Sequence, residues 1–546
     1  MIVPGSTNPM LMVQSGDPLD ELGKIERALR FRLAASAFLS CVLGTPTNNK
    51  IYTVAAWFQV EKPPTTELHT IIAPPTGGFL SVGDSVNPVI RWNDGSGGDL
   101  IGNRMLRGVA AYMLVVVGVD TTQAVAADRV KLYLGMDQVT SFSTAGYPAL
   151  NSAQTWNSSG THNIGRRGST ANNYFGGNIC FPLMVDGKQL TPAAFASVHP
   201  KTGQVRPKSR GSIRSAVAVG GGPRNGWGAN GFFLPMDDVT SLTTLGYDRS
   251  QGDTDTTGNN WTANNISLTA GATYDPSLST PTNVFARFNE LCKTASLSAA
   301  IISEGGMRLA ANYETNTTPG SYALAPLTFD LIKGTAYIEA TGVNVGSGGG
   351  QFGIGVTNNL NFNFQQSNIY NGSFSNITKQ LNAGQTARLF IDADAGKVWT
   401  GSGSSWDSGD PVAGTGGTSL SGPYRIFGQA YNDGTNRVDV ALNCGQRVYN
   451  ATSPRSKSEF CTKNLPFPKV PKASSAVVAV TDSGANIQAT LAAARPGWTD
   501  YIELFKCESA SEGWRWRFSD DLANFLDTAS TNGKTAFPAL SGTTYT

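Results

Sequence analysis

Apolar and polar residues alternate with a period of two along most of the chain, and this pattern predicts strands. Within Arg129–Val139, Val130, Leu132 and Leu134 fall on one side and Lys131 and Tyr133 on the other, as a half-buried strand requires. Val115-Val116-Val117-Gly118-Val119 has no polar interruption, which fits a strand buried on both faces or one in a sandwich core. Farther on, Phe352, Ile354 and Val356 alternate with Gly353 and Gly355. Leu389 and Ile391 precede an Asp394-Ala395-Gly396-Lys397 turn, from which Val398 and Thr400 return as a hairpin. Tyr424, Ile426, Gly428 and Ala430 run into a turn at 432–436, and Val438, Val440 and Leu442 return. Turn clusters such as Asn93-Asp94-Gly95 and Asn157-Ser158-Ser159-Gly160 punctuate the pattern. Successive hairpins with period-two cores predict an all-β chain of stacked sandwiches.

Three segments break the alternation. In residues 1–30, Leu19, Leu22, Ile25 and Leu29 recur at helical spacing after Asp17-Pro18, and the apolar Met10-Leu11-Met12-Val13 precedes them. This predicts a short amphipathic helix on an extended arm, which either packs on the first β domain or docks into a larger assembly. Residues 200–226 carry Lys201, Arg206, Lys208, Arg210, Arg214 and Arg224 with no acidic residue, and read as a solvated linker or as a contact for phosphate or anionic polysaccharide. Lys469-Val470-Pro471-Lys472 is a second linker, before a small β-rich unit. In that unit Ala476–Val480 and Ile487–Leu491 read as strands, Trp498, Trp514 and Trp516 concentrate aromatics, and Ser519-Asp520-Asp521 caps a short helix with Leu522, Phe525 and Leu526. The ending Thr544-Tyr545-Thr546, mid-pattern after Gly542, leads to the expectation that the natural chain continues.

Composition narrows the function classes. The 546 residues hold 15% charged side chains and 62 glycines, with 41 basic and 39 acidic residues. A net charge of +2 argues against a nucleic-acid binder by bulk charge, and 40% hydrophobic residues exclude wholesale disorder. Met1-Ile2-Val3-Pro4-Gly5 lacks the basic start of a signal peptide, and the Val109–Val119 run is too short to span a bilayer. A soluble chain made in a cytoplasm is expected, without membrane insertion and without disulfides as its default state.

Several stretches resemble a known family. Ala111–Asp120, Arg129–Leu134, His162-Asn163-Ile164-Gly165-Arg166-Arg167, Tyr174–Ile179 and Val185–Pro192 follow one another in the order of the concanavalin A-like, laminin-G-type jelly roll of bacteriophage structural proteins. Gly135-Met136 stands where the family hairpin usually has Asn-Gly, so a different turn is expected there. Asn230–Pro235, Leu245–Ser250 and Gly258–Thr262 are similar to a connector of tailed-phage proteins, and Asn443–Arg447 with Phe460–Pro466 resembles the end of their SPRY-like module. Thr-Pro-Thr-Asn occurs at 45–48 and again at 280–283, each time leading into a strand region. The fold class expected is therefore mainly β, with tandem jelly-roll or sandwich domains. The divisions are an arm at 1–30 that docks on the virion, a laminin-G-like jelly roll at 31–235, a connector at 236–274, an SPRY-like sandwich at 275–465 and a terminal unit at 466–546. The resemblance implies a virion-located structural protein, tail fibre or tailspike-like. It implies partners among other virion proteins, a host-surface glycan or protein receptor, and a homotrimer. A capsid-associated head fibre or decoration protein is the first alternative and a surface-polysaccharide depolymerase the second.

The search for chemistry is less productive. The six cysteines (41, 180, 292, 444, 461, 507) and three histidines (69, 162, 199) are scattered, and no zinc, P-loop or nucleophile-elbow spacing occurs. Cys444 and Cys461 are expected as free buried thiols. Glycoside hydrolysis needs two facing carboxylates, but Asp94, Asp394, Asp407, Asp410 and Asp433 sit in predicted turns, and Asp237-Asp238 and Asp520-Asp521 fit turn and cap roles. Asp253, Asp255, Asn259 and Asn260 form an oxygen-rich loop of the kind calcium uses, though a polar surface loop is the simpler reading. Among Trp57, Trp92, Trp156, Trp227, Trp261, Trp399 and Trp406, the last, flanked by glycines and serines, is the one most expected at the surface for sugar stacking; a core role is the rule for the others. The expectation is a protein that is not an enzyme, with no catalytic residue, metal site or cofactor.

Overall fold

The period-two segments form strands whose two parities are sorted onto two faces. In the Met113–Asp120 strand, Val115, Val117 and Val119 enter one apolar cluster while Leu114 and Val116 enter another. That is why this run shows no polar interruption: both of its faces are covered. A computed structural model describes residues 23–61, 64, 67–106, 111–168, 172–199, 203–290, 300–311, 321–346, 351–358, 377–432, 436–456 and 458–464, together with seven strands beyond residue 476. The chain divides into two units, Met1–Leu465 and Pro466–Thr546.

The first unit is mainly antiparallel sheet and carries two sandwiches. In the first, one sheet runs in the spatial order Asp137–Gln138, Val130–Leu134, Met113–Asp120, Ile51–Val60, Gly177–Asp186, Ala28–Phe31 and Pro276–Ser277, with Phe232–Phe233 alongside Gly177–Asp186. The facing sheet runs Phe142–Gly146, Asp99–Gly102, Ile90–Asn93, Phe79–Val82, His69–Ala73, Gly160–Ile164, Phe38–Leu43 and Thr262–Asn264. Between them lie Phe31, Phe58, Val117, Trp92, Trp156 and their neighbours. The Val130–Leu134 hairpin turns through Gly135 at φ 66°, a left-handed conformation that glycine adopts without a Cβ penalty.

The second sandwich comes from one twelve-stranded sheet that folds over itself. The Tyr424–Asn432 and Asn436–Asn443 strands pair only near their shared turn, at Tyr431–Val438 and Asn432–Arg437. Beyond those positions they diverge, each into its own layer. Tyr424–Asn432 pairs with Gln351–Thr357 and Ser321–Leu331, whereas Asn436–Asn443 pairs with Thr335–Gly346. Phe352, Ile354, Val356, Leu389, Ile391, Val438 and Val440 fill the space between.

Three expectations for the first unit are corrected. The described end of the N-terminal segment is not helical: residues 24–27 are irregular and Ala28–Phe31 is a strand, with Leu29 opposite Ile179 and Phe31 opposite Gly177. All four strand residues are buried, which a strand covered on both faces provides and a one-striped helix does not. Asp17, Leu19, Leu22 and Met10–Val13 lie outside the described residues. The 236–274 connector is part of the first sandwich, because Leu245 and Trp261 enter its core and Thr262–Asn264 extends its second sheet. The basic segment is likewise no solvated linker. Arg210–Ala218 is a helix capped by Ser209, and its Ile213 and Val217 lie on the outer face of the first sheet.

In the second unit, Val477–Asp482, Ile487–Leu491 and Thr544–Tyr545 form one antiparallel sheet, and Asp500–Leu504 with Thr535–Ala539 and Arg515–Phe518 with Leu526–Ala529 form two more. Leu526 thus opens a strand where a helix was expected, and residues 519–525 of that helix lie outside the described residues, as do 433–435 of the second sandwich's turn.

A buried histidine sets a pH dependence. His162 lies in the Gly160–Ile164 strand with Nε2 2.9 Å from Trp156 O and Nδ1 3.1 Å from Gly160 O. Burial holds its pKa below the ordinary 6.5, outweighing the two carbonyls that favour the charged ring. The unfolded chain therefore binds more protons than the folded one between the folded value and 6.5. Stability is full above that window and falls as pH drops through it. Urea midpoints measured from pH 7.5 to 5 should decline for the native protein, and His162→Gln should flatten that decline.

Candidate functional site

The outer face of the second sandwich carries an aromatic and polar cluster whose placement follows from strand parity. Ala336, Ile338 and Ala340 point to the core, so Tyr337 and Glu339 point outward. On the neighbouring strand Ala387, Leu389 and Ile391 point inward and Arg388 and Phe390 outward, and the register sets Glu339 beside Arg388 and Tyr337 beside Phe390. Trp399 joins them from the next strand, with its indole N–H donating to Thr415 O at 2.9 Å. Trp406 returns over the cluster on a short hairpin. Gly401 permits that approach, since a Cβ there would lie 2.3 Å from Ser405 O.

Arg388 is the centre of this face. It is 4% exposed, its Nε donates to Tyr337 Oη at 3.0 Å, and its Nη2 donates to Thr452 O at 3.2 Å. Its guanidinium lies 4.1 Å from the centre of the Trp406 ring, a cation–π contact that holds the half-buried indole in place. Glu339 accepts from Tyr337 Oη at 2.7 Å and from the backbone N–H groups of Asn450 and Ala451 at 2.7 and 2.9 Å. Burial raises the Tyr337 hydroxyl pKa, and the Glu339 charge adds to the rise, so it stays protonated as a donor. The network thereby ties the 450–452 loop to the sheet.

Beside it runs an open groove of about 920 Å³, lined by Gly384, Gln385, Thr386, Arg388, Ser402–Ser405 and Asn450–Thr452. Hydroxyl, amide and guanidinium groups supply its donors and acceptors. Among the described residues its lining contains no Asp, Glu, His or Cys. The nearby Glu339 is committed to three hydrogen bonds and is 1% exposed. A second cleft, about 480 Å³, is lined largely by apolar side chains including Trp57, Tyr112, Met113, Met136, Val205 and Val284, and has fewer converging polar groups.

No family model matches the sequence, and no curated protein matches it. Among solved structures, a candidate carbohydrate-binding protein from Bacteroides ovatus aligns with 15% identity and a TM-score of 0.28, over 44% of this chain and 58% of its own. The chain thus spans less than two thirds of that structure's length. A heptameric SAP-like pentraxin from Limulus polyphemus aligns with 11% identity and a TM-score of 0.24, over 36% of this chain and 84% of its own.

The residues singled out in the sequence are mostly structural. Trp57, Trp92, Trp156, Trp227, Trp261 and Trp399 are buried, and Trp406 is the one of that set that reaches the surface. The oxygen-rich loop is spoken for: Asp253 pairs with Arg214 at 2.9 Å and with Arg210, Asp255 accepts from Thr257, and Asn259 and Asn260 donate to backbone carbonyls. The same pairs, with Arg210–Asp237 and Arg224–Asp248, give Arg210, Arg214 and Arg224 of the segment read as an anion contact acidic partners. Asp94 accepts from Ser96 N and Gly98 N, Asp407 pairs with Lys379, and Asp410 accepts from Val412 N. Asp394 is exposed in its turn, Asp238 accepts from Thr240, and Asp433, Asp520 and Asp521 lie outside the described residues. Among the described residues no group of three His, Cys, Asp or Glu is placed to hold a metal. Cys41, Cys180, Cys444 and Cys461 are buried free thiols, and burial pushes Cys461 up to about 11. Sequence reading missed Arg388, Glu339 and Tyr337. Their signal was the pair Phe390 and Trp399 at outward parity, which marks a second covered face.

Proposed function

We propose that the protein is a structural component of a tailed-bacteriophage particle, tail fibre or tailspike-like, that holds a host-surface glycan without cleaving it. The observation that carries the binding half of this reading is the groove beside Arg388 and Trp406, rich in hydrogen-bonding groups and, among the described residues, lined by no carboxylate. The virion half rests on the ordered motifs from Ala111 to Pro192 and from Asn443 to Pro466, which resemble phage structural modules. Several copies on one particle, as a trimer would supply, raise a modest affinity per site to useful avidity.

The test pairs binding with turnover on host capsule or lipopolysaccharide fragments. Native protein should bind them and release no oligosaccharide. Trp406→Ala should weaken binding about tenfold, the equivalent of roughly 1.4 kcal/mol, with an unchanged far-UV circular dichroism spectrum. Sustained oligosaccharide release would establish the depolymerase alternative instead. Labelling the chain on intact particles separates tail from head, and a head location would favour the decoration-protein alternative.

A further inference from the structure

The outer face of the first sheet of the first sandwich is apolar, and most of it is covered. Leu114, Val116, Phe181 and Leu183 belong to its cluster, and Ile213 and Val217 of the capped helix lie on it. Ile25 enters the same cluster from the N-terminal segment and is 1% exposed. One part stays open: the cleft of about 480 Å³, whose lining includes Trp57, Met113, Leu114, Met136, Val198 and Val205. One wall is the hairpin of Ala196–Val198 and Val205–Pro207, in which Val198 lies opposite Val205. Val198 is 49% exposed, an apolar side chain left to water beside other apolar ones. The Tyr112 hydroxyl donates to Ser279 O, and the charged members among the described residues, Arg104 and Asp137, are both exposed. The cleft therefore suits an apolar occupant.

The point where the described chain begins decides which apolar segment is nearest. Gly23 abuts the hairpin, since a Cβ on it would lie 1.9 Å from Pro207 O. Val205 is two strand positions from Pro207 and on the same face, about 6.6 Å away. The chain preceding Gly23 is thus delivered to the wall of the cleft. Residues 10–22 lie outside the described residues, and their sequence carries Met10, Leu11, Met12, Val13, Leu19 and Leu22. From residue 22 back to residue 13 a chain reaches about 30 Å extended or about 14 Å helical, so either conformation spans a cleft of this size. Charge agrees with that placement. Residues 1–22 hold Asp17, Asp20 and Glu21 and no basic side chain. Lys208, whose Cα lies 3.7 Å from the same Cβ position, donates to Ala193 O and has no carboxylate partner among the described residues.

We propose that this cleft is the seat of the chain's own N-terminal segment, with apolar side chains of residues 10–22 inserted beside Val198, Val205, Met113 and Met136. The segment continues the cover that Ile25 begins. Methionines on both sides, Met10 and Met12 against Met113 and Met136, pack without demanding one fixed shape. Attachment at Gly23 holds the segment at the cleft wall at high effective concentration, which favours the same chain over a second copy. Of the two readings of the arm, packing on the first β domain is then the one that applies.

The test uses the full chain with a photoreactive benzoylphenylalanine in place of Val198, whose exposure leaves room for the added ring. Irradiation and peptide mass spectrometry should join that position to a peptide from residues 10–22. When isotope-labelled and unlabelled chains are mixed, both halves of the joined peptide should carry the same label. Halves of mixed label would assign the cleft to a second copy, and a product elsewhere in the chain, or none, would leave it without the segment; each overturns the proposal. Hydrogen exchange on the native chain needs no substitution. Amides of residues 10–22 should exchange about tenfold or more slowly than those of an unstructured chain. Leu11→Asp combined with Met12→Asp should abolish that protection and leave the Ile51–Val60 and Met113–Asp120 strands protected. Exchange of residues 10–22 at the unstructured rate in the native chain would equally overturn the proposal.

Discussion

A chain starting at Ser36 is expected to lose the cooperative unfolding transition of the first sandwich and to aggregate on expression, whereas a chain starting at Gly23 keeps every contact described above. The shorter product lacks the Ala28–Phe31 strand, which pairs with Gly177–Asp186 on one side and Pro276–Ser277 on the other. Leu29 and Phe31 are fully buried, and each contributes about 1.5–3 kcal/mol by leaving water. Losing Arg30 and Arg32 also strands Asp275, which is 0% exposed, and leaves Glu304 without one of its two arginines. Breaking a buried pair from one side costs roughly 3–5 kcal/mol. Together these losses approach the whole stability of an ordinary domain, about 5–15 kcal/mol. Size-exclusion chromatography and calorimetry of the two truncations provide the measurement. A monodisperse, cooperatively melting product starting at Ser36 would show the strand to be dispensable.

Asp248→Ala should cost roughly 3–5 kcal/mol and lower the melting temperature by about 10 °C or more. Its carboxylate is 0% exposed and accepts from Arg224 Nη2 at 2.7 Å and from the backbone N–H groups of Phe233, Ser250 and Asn259, each at 2.9 Å. One side chain therefore fastens the 224 turn, the Phe233 strand and the 248–260 loop to the first sandwich. Alanine would leave three backbone donors and one guanidinium without an acceptor in a space closed to water. Asp248→Asn keeps the shape and one acceptor oxygen and should fall between the two. A melting temperature for the alanine variant within 2 °C of the native value would mean that water replaces the carboxylate.

The Arg30–Glu304 pair and the Asp248 anchor share a feature: neither is visible in a short window of sequence. Arg30 and Glu304 stand 274 residues apart, and Arg224 meets Asp248 across a turn that reads locally as a glycine-rich linker. The same holds for the Arg388 groove. Glu339 and Arg388 are cross-strand neighbours separated by a hairpin and a further strand pair, and Asn450 and Ala451 reach Glu339 from more than a hundred residues away.

What the sequence determined by itself is local: which residues are strand, which parity is apolar, and where chains turn. Val115–Val119, the Phe352–Val356 alternation and the hairpin around Asp394 were readable because side-chain parity in a strand is a property of adjacent residues. The tertiary structure decided the rest. It turned the helical spacing of Ile25 and Leu29 into irregular chain and buried strand, because a place between Gly177–Asp186 and Pro276–Ser277 was open to it. It converted an uncompensated basic segment into a capped helix and turn paired with Asp237, Asp248 and Asp253. Alternation reports how deeply a position is buried; it carries no information about which distant charge will lie opposite, and that pairing follows only from the order in which strands close the sheets.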